Sequence, residues 1–270
     1  MDGHAQEEGG EHVTLRIDSL CQGYGDHTVI DGISFEVEKG MVVSVLGPNG
    51  SGKSTLIRTV CGIMPPRGGS IDAEGKSVSD MSPKEISRCM GYVPQKYVQT
   101  DYMKVLDAVL IGRAPYMSWS YSKKDFECAE RAIDRMGIFD LADKYVNDLS
   151  GGQLQKVIIA RALAQNPEYY ILDEPTSALD LRNQMVALRT VKDIVSDGDS
   201  GALVALHDLN LAMRFSDRVI MLKDGGIHAM GAPEEVITER NVMDVYGVRS
   251  EIYEGINGRF VHILEDEPDE

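Results

Sequence analysis

The chain has 270 residues, 43% hydrophobic and 26% charged, enough to bury a substantial core as one domain with two lobes. Its formal net charge of −16 argues against nucleic acid as a substrate, which calls for a basic footprint. Its longest apolar runs are strand-length, far below the roughly 20 residues of a membrane-spanning helix. The start carries neither the basic nor the apolar region of a secretory signal, so the sequence predicts a soluble protein that reaches any membrane through a partner.

The first segment, residues 1–12, is acid-rich and lacks Lys and Arg, as does the last, 265–270; both are expected to be disordered, solvating tails. Between them, from Val13 to about Gln95, short strands alternate with helices. Ile33–Val37 reads as a strand, and Met41–Leu46 as a buried one. The latter runs into Gly47-Pro48-Asn49-Gly50-Ser51-Gly52-Lys53-Ser54, which fits the phosphate-loop pattern G-x-x-x-x-G-K-[ST] at every position. Lys53–Val60 reads as the opening of the helix that this pattern requires. The glycines allow backbone N–H groups to turn around phosphate oxygens, and the helix N-terminus adds a favourable dipole. Nucleotide contacts are therefore expected from Gly47 through Thr55, with Lys53 reaching the β- and γ-phosphates and the Ser54 hydroxyl holding Mg²⁺. Further on, Ser82-Pro83-Lys84-Glu85 is a capping-box start with Pro at the first helical position, and Gly91–Pro94 is strand-like.

From about 96 to 166 the pattern turns helical, with helices expected over Met103–Ile111, Ser122–Met136 and Gln153–Ala164. Ser150, Gly151 and Gly152 cap the last of these, which stops before Asn166-Pro167, and this cap makes a second anion-binding helix end. Strand–helix alternation resumes at Tyr169-Tyr170-Ile171-Leu172, an apolar run suited to the interior of a parallel sheet. Two carboxylates follow. Asp173 would hold Mg²⁺, and Glu174 would polarise the attacking water, a sufficient set because phosphoryl transfer needs mainly positioning and charge neutralisation. Ala202–Leu206 is the next strand, and Lys223-Asp224-Gly225-Gly226 reads as a hairpin turn. The cysteines at 21, 61, 89 and 128 are isolated, which predicts reduced thiols in a cytosolic protein and no structural metal site.

Leu149-Ser150-Gly151-Gly152-Gln153, standing between the phosphate loop and Asp173-Glu174, completes a set that resembles the ATP-binding cassette (ABC) ATPases from about Val13 to the region of Asp224. The resemblance implies an α/β fold: a P-loop NTPase core sheet (RecA-like) with an antiparallel β subdomain and an inserted helical subdomain, the whole ABC ATPase domain spanning 13–264. It also implies roles for lone residues. Gln95 stands at the glutamine loop, which senses Mg²⁺ and water. His207 stands at the switch histidine, which contacts the γ-phosphate, and Tyr24 at the aromatic that stacks on adenine. Two copies are expected to pack head to tail around two ATP molecules, each signature 149–153 covering the partner's nucleotide and Asp180 reaching across.

Within the family, Val105–Pro115, Ala160–Gln165, Leu172–Leu181 and the ending Glu239–Val248 look like importer ATPases for iron–siderophore, haem or cobalamin; molybdate and tungstate importers stay open. The resemblance implies ATP hydrolysis at the cytoplasmic face of the membrane. The expected partners are an integral membrane permease dimer, docking near Lys96–Ser120, and indirectly an extracytoplasmic substrate-binding protein. A DNA-repair ATPase would carry a long coiled coil in the gap of about a hundred residues between phosphate loop and signature, where none is visible. Translation factors carry two cassettes, and exporters often fuse theirs to a membrane domain. The iron–sulfur cluster assembly ATPase remains an alternative, although its lobe lacks the Gly112-Arg113-x-Pro115 pattern.

Overall fold

The computed structural model describes residues 14–95, 102–256 and 258–265. The expected tail at 1–12 and residues 266–270 of the other lie outside them. In chain order come β1 (Thr14–Tyr24), β2 (His27–Glu38), β3 (Val42–Leu46), α1 (Lys53–Val60), β4 (Gly68–Ala73), β5 (Lys76–Ser77), α2 (Pro83–Cys89) and β6 (Met90–Val93). A helical stretch follows: α3 (Val105–Leu110), α4 (Lys123–Arg135) and α5 (Gly151–Gln165). The chain then returns to alternation with β7 (Tyr169–Asp173), α6 (Leu181–Ser196), β8 (Gly201–Ala205), α7 (Leu209–Phe215), β9 (Arg218–Lys223) and β10 (Gly226–Gly231). It closes with α8 (Pro233–Val236), α9 (Glu239–Tyr246) and a hairpin of β11 (Ser250–Gly255) and β12 (Gly258–Ile263).

The main sheet has the order β10-β9-β3-β8-β7-β6, parallel except for β10 at one edge. Strands β3, β7 and β8 are buried at every residue, which is why they read as continuous apolar runs. Period-two alternation divides their side chains between two cores. Val43, Val45, Ile171, Leu203 and Ala205 face one core, shared with α1 and the antiparallel sheet β2-β1-β4-β5. Val42, Leu46, Leu172, Ala202 and Val204 face the other, shared with α3 to α7. Each fully buried aliphatic side chain contributes roughly 2 kcal/mol, so a polar substitution in β7 would disrupt both layers at once.

The sequence expectations for elements hold, with boundary changes that have local causes. The helix expected over 103–111 ends at Leu110 and tightens into a 3-10 turn over Ile111–Tyr116. Pro115 lacks the N–H that would continue it, and the backbone at Gly112 packs so closely on α5 that a Cβ would lie 2.2 Å from the Arg161 carbonyl oxygen. The signature helix starts earlier than expected, at Gly151, because Ser150 and Gln153 form a reciprocal capping box with N···O distances of 3.0 and 3.3 Å. It stops where Asn166 takes a left-handed conformation, φ 52°. The turn after β9 has Asp224 and Gly225 at φ 48° and 80°, the primed geometry that suits a tight hairpin.

Candidate active site

The carboxyl ends of the parallel strands converge on one place, the usual position of a ligand site in such a sheet. The loop between β3 and α1 begins at Gly47, where φ is 151° and a Cβ would stand 2.7 Å from the Leu222 carbonyl oxygen, so only glycine fits. The loop folds back on Lys53, whose ammonium donates to the Gly47 and Pro48 carbonyls at 2.7 and 3.1 Å. Lys53 is 5% exposed. Burial lowers its pKa, opposed by the nearby charges of Glu174 and Asp173.

Ser54, one residue on, donates its hydroxyl to Asp173 Oδ1 at 2.9 Å, joining α1 to the end of β7. Asp173 is fully buried, and its Oδ2 has no hydrogen-bond partner among the described residues. Burial pushes its carboxyl above the usual carboxylate range, with the Ser54 bond opposing. An orphaned buried carboxylate oxygen beside a hydroxyl is the donor set of a hard divalent cation, so these two residues fit Mg²⁺.

Glu174 gathers the other groups. Its Oε1 lies 3.9 Å from Lys53 Nζ and 2.5 Å from His207 Nε2, while the Gln95 side-chain amide donates to its Oε2. Its backbone sits in the left-handed region at φ 50°, a conformation worth about 1 kcal/mol of strain for a residue with a Cβ. Three contacts hold it there. Its N–H donates to the Ala205 carbonyl at 3.2 Å, and its own carbonyl accepts from the Ser177 N–H and hydroxyl at 3.2 and 3.1 Å. Ser177 was passed over in the sequence, and the only trace of its part was its place three residues after Glu174. Nor did the sequence single out Arg58, whose pKa is raised first by a hydrogen bond to Tyr92 and also by the Asp173 charge.

Loop residues 47–54, Gln95, Asp173, Glu174 and His207 thus come together, drawn from four strand ends. Other named residues stand apart. Tyr24 closes β1, half exposed, its hydroxyl 3.4 Å from Met64 Sδ. Ser150 to Gln153 make no hydrogen bond or ion pair with loop 47–54 among the described residues. Instead the N-terminus of α5 abuts the segment after Glu174, since a Cβ on Gly152 would be 3.2 Å from the Ala178 carbonyl oxygen. Leu149 is buried beneath it. Asp180 caps α6 by accepting from the Asn183 backbone and side-chain nitrogens at 2.8 and 2.9 Å, and is exposed.

Comparison with known proteins matches residues 30–177 to the ABC transporter family model. An ABC transporter ATP-binding protein of Methanocaldococcus jannaschii is 43% identical over 244 residues, 90% of this chain and 95% of its own. The ferric enterobactin transport ATP-binding protein of Escherichia coli is 36% identical, covering 87% of this chain and 88% of its own. Among solved structures, one described as a metal-chelate type ABC transporter in an inward-facing conformation superposes with a TM-score of 0.79 at 28% identity, over 93% of this chain and 96% of that one. A dimeric bacterial ABC transporter cassette superposes at 0.74 and 27% identity, over 81% and 98%.

Proposed function

Because this chain belongs to the ABC transporter family and is an ATPase of that type, we propose that it energises uptake of a metal chelate, such as an iron–siderophore, haem or cobalamin, through a separate permease dimer. The observation that carries the catalytic half is the convergence of Lys53, Gln95 and His207 on the Glu174 carboxylate. In this reading Glu174 accepts a proton from the attacking water, Gln95 and His207 hold that water and the γ-phosphate in line, and Lys53 neutralises the phosphates. Asp173 and Ser54 would hold Mg²⁺, which when bound neutralises charge developing on the phosphate oxygens. Lys53, now turned onto the Gly47 and Pro48 carbonyls, would exchange those acceptors for phosphate oxygens.

The ends of α5 and α6 supply the second half. Ser150, Gly151 and Gly152 present an anion-seeking helix N-terminus apart from their own chain's loop 47–54, and Asp180 is exposed at the start of α6. A second copy, packed head to tail, would bring that end onto the other copy's nucleotide, and the dimeric cassette among the structural relatives supports the arrangement. Tyr24 would stack on adenine. The permease would dock at the helical stretch, where Tyr102 and Trp119 are almost fully exposed; the part of that surface at 96–101 lies outside the described residues. Among the described residues no helix is long and apolar enough to cross a membrane, which suits a peripheral subunit on the cytoplasmic face. The cargo reading rests on the enterobactin relative and the metal-chelate type structure.

The test is purification from membranes together with its partners. A co-purifying polytopic permease whose cargo stimulates ATP hydrolysis supports import of that cargo. Recovery with iron–sulfur assembly proteins and no permease would overturn the reading.

A further inference from the structure

A cavity of about 380 Å³ opens between α4, the end of α5, β7 and α6, on the opposite side of β7's length from Asp173. Tyr170 in its lining lies three residues before Asp173, about 10 Å along the strand. Four cations line it: Arg113, Lys124, Arg131 and Arg135, and no carboxylate does. Composition makes this unexpected, since the chain holds 27 Lys and Arg against 43 Asp and Glu.

Only one of the four is neutralised. Arg113 pairs with Asp125 at 3.0 Å and donates to the Ala164 and Gln165 carbonyls at 2.9 and 3.0 Å. Arg131 donates to Cys128 Sγ at 3.1 Å, and Lys124 and Arg135 make no hydrogen bond or ion pair among the described residues. Three cations therefore face one opening without an ion-pair partner among the described residues, an arrangement whose mutual repulsion an anion would relieve. The floor is apolar, formed by Leu163, Ala164, Tyr170 and Ile194, with the Tyr116 ring at the side under the Arg113 guanidinium, 4.1 Å from its centroid. Burial raises the Tyr170 hydroxyl above the usual tyrosine range while the Arg135 charge opposes it, so Arg135 is felt at the floor. Beyond Arg135 a second opening is bordered by Asp193 and Asp197, which restricts an anion to the α4–α5 side. The volume is within the range of small-molecule sites, and an apolar floor under convergent charges is their usual composition.

We propose that this cavity binds a small organic phosphate, its apolar or aromatic body on the Tyr170–Ile194 floor and its phosphate between Arg131 and Arg135. The site is separate from the nucleotide site and does not depend on the transport reading.

The test is titration calorimetry of the full chain with phenyl phosphate, the nucleotide site first saturated with a non-hydrolysable ATP analogue and Mg²⁺. One equivalent should bind, with affinity falling as salt rises. Binding should weaken roughly tenfold or more in Arg131→Ala/Arg135→Ala, because each charge-assisted bond to phosphate is strong. Both arginines are exposed on α4, so the double variant should fold and hydrolyse ATP as the parent does. Benzyl alcohol, lacking the phosphate, should not bind. Absence of phenyl phosphate binding, or equal binding by the double variant, overturns the proposal. So does co-sedimentation with phosphatidylglycerol vesicles that the double variant loses while phenyl phosphate fails to bind, since the cations would then serve a membrane surface.

Discussion

At the scale of single residues, Glu174 is held from several sides at once. It is buried, left-handed in its backbone, and in contact with a lysine, a glutamine and a histidine from three other segments. Removing its charge while keeping its shape separates chemistry from binding. Glu174→Gln should retain nucleotide binding and slow phosphate release by roughly 10²–10⁴-fold, the usual share of a general base. Phosphate release within a few fold of the parent would remove Glu174 from that part. Lys53→Ala acts on the other side: it leaves the loop carbonyls without their donor and the phosphates without their cation. Calorimetry should show nucleotide binding lost, and undiminished affinity would mean that the loop amides alone hold the phosphates.

At the scale of elements, the pattern Gly112-Arg113-x-Pro115, on which the resemblance to importer ATPases partly rests, serves a structural purpose in the fold. Gly112 lets the 3-10 turn touch α5, and Arg113 fastens that turn to the carbonyls ending α5 and to Asp125 at the start of α4. Gly112→Ala should cost about 1 to 3 kcal/mol through overpacking, read by urea unfolding; an unchanged midpoint would refute the close approach. The Ser122 hydroxyl and backbone N–H, followed by the Arg113 guanidinium, hold the Asp125 carboxyl at about 2, against an ordinary value of 3.8. In that interval the unfolded chain binds more protons than the folded one, so stability rises with pH across it. Asp125→Asn should therefore be less stable than the parent by on the order of 2 kcal/mol above about pH 4, with the gap closing as pH falls towards 2. A gap independent of pH would assign the loss to packing. At the other end of the chain, the Asn210 side chain accepts from and donates to the Val261 backbone at 2.7 and 3.1 Å, bolting the β11–β12 hairpin to the helix that follows His207.

At the scale of the whole molecule, the structure leaves an unfinished pair of surfaces. The phosphate loop and the Ser150 helix end both suit phosphate, yet within one chain they are not brought together. Light scattering of Glu174→Gln should therefore show a monomer that becomes a dimer only with ATP–Mg²⁺. Ser150→Arg, added to it, should bind nucleotide and stay monomeric, because in the proposed head-to-tail pair the arginine would fill the space of the partner's phosphates. A dimer formed equally well by the Ser150→Arg form would sink the shared-site model.

Much of this was legible in the sequence, for reasons of range. Gly47 to Ser54, the Ser150 cap and the Asp173-Glu174 pair are contiguous, and their chemistry follows from residue types at fixed short spacing on a strand end or helix start. Buried parallel strands are also visible directly, as uninterrupted apolar runs. Tertiary structure alone decided what depends on distant contacts. Ala205 helps hold Glu174 in its strained backbone, Arg113 bonds to carbonyls some fifty positions away, and Arg113, Lys124, Arg131 and Arg135 converge on one opening. Those arrangements arise from backbone carbonyls, which every residue carries, and from packing angles between helices. A linear sequence records neither, so it determined the catalytic vocabulary while the folded chain decided which groups meet.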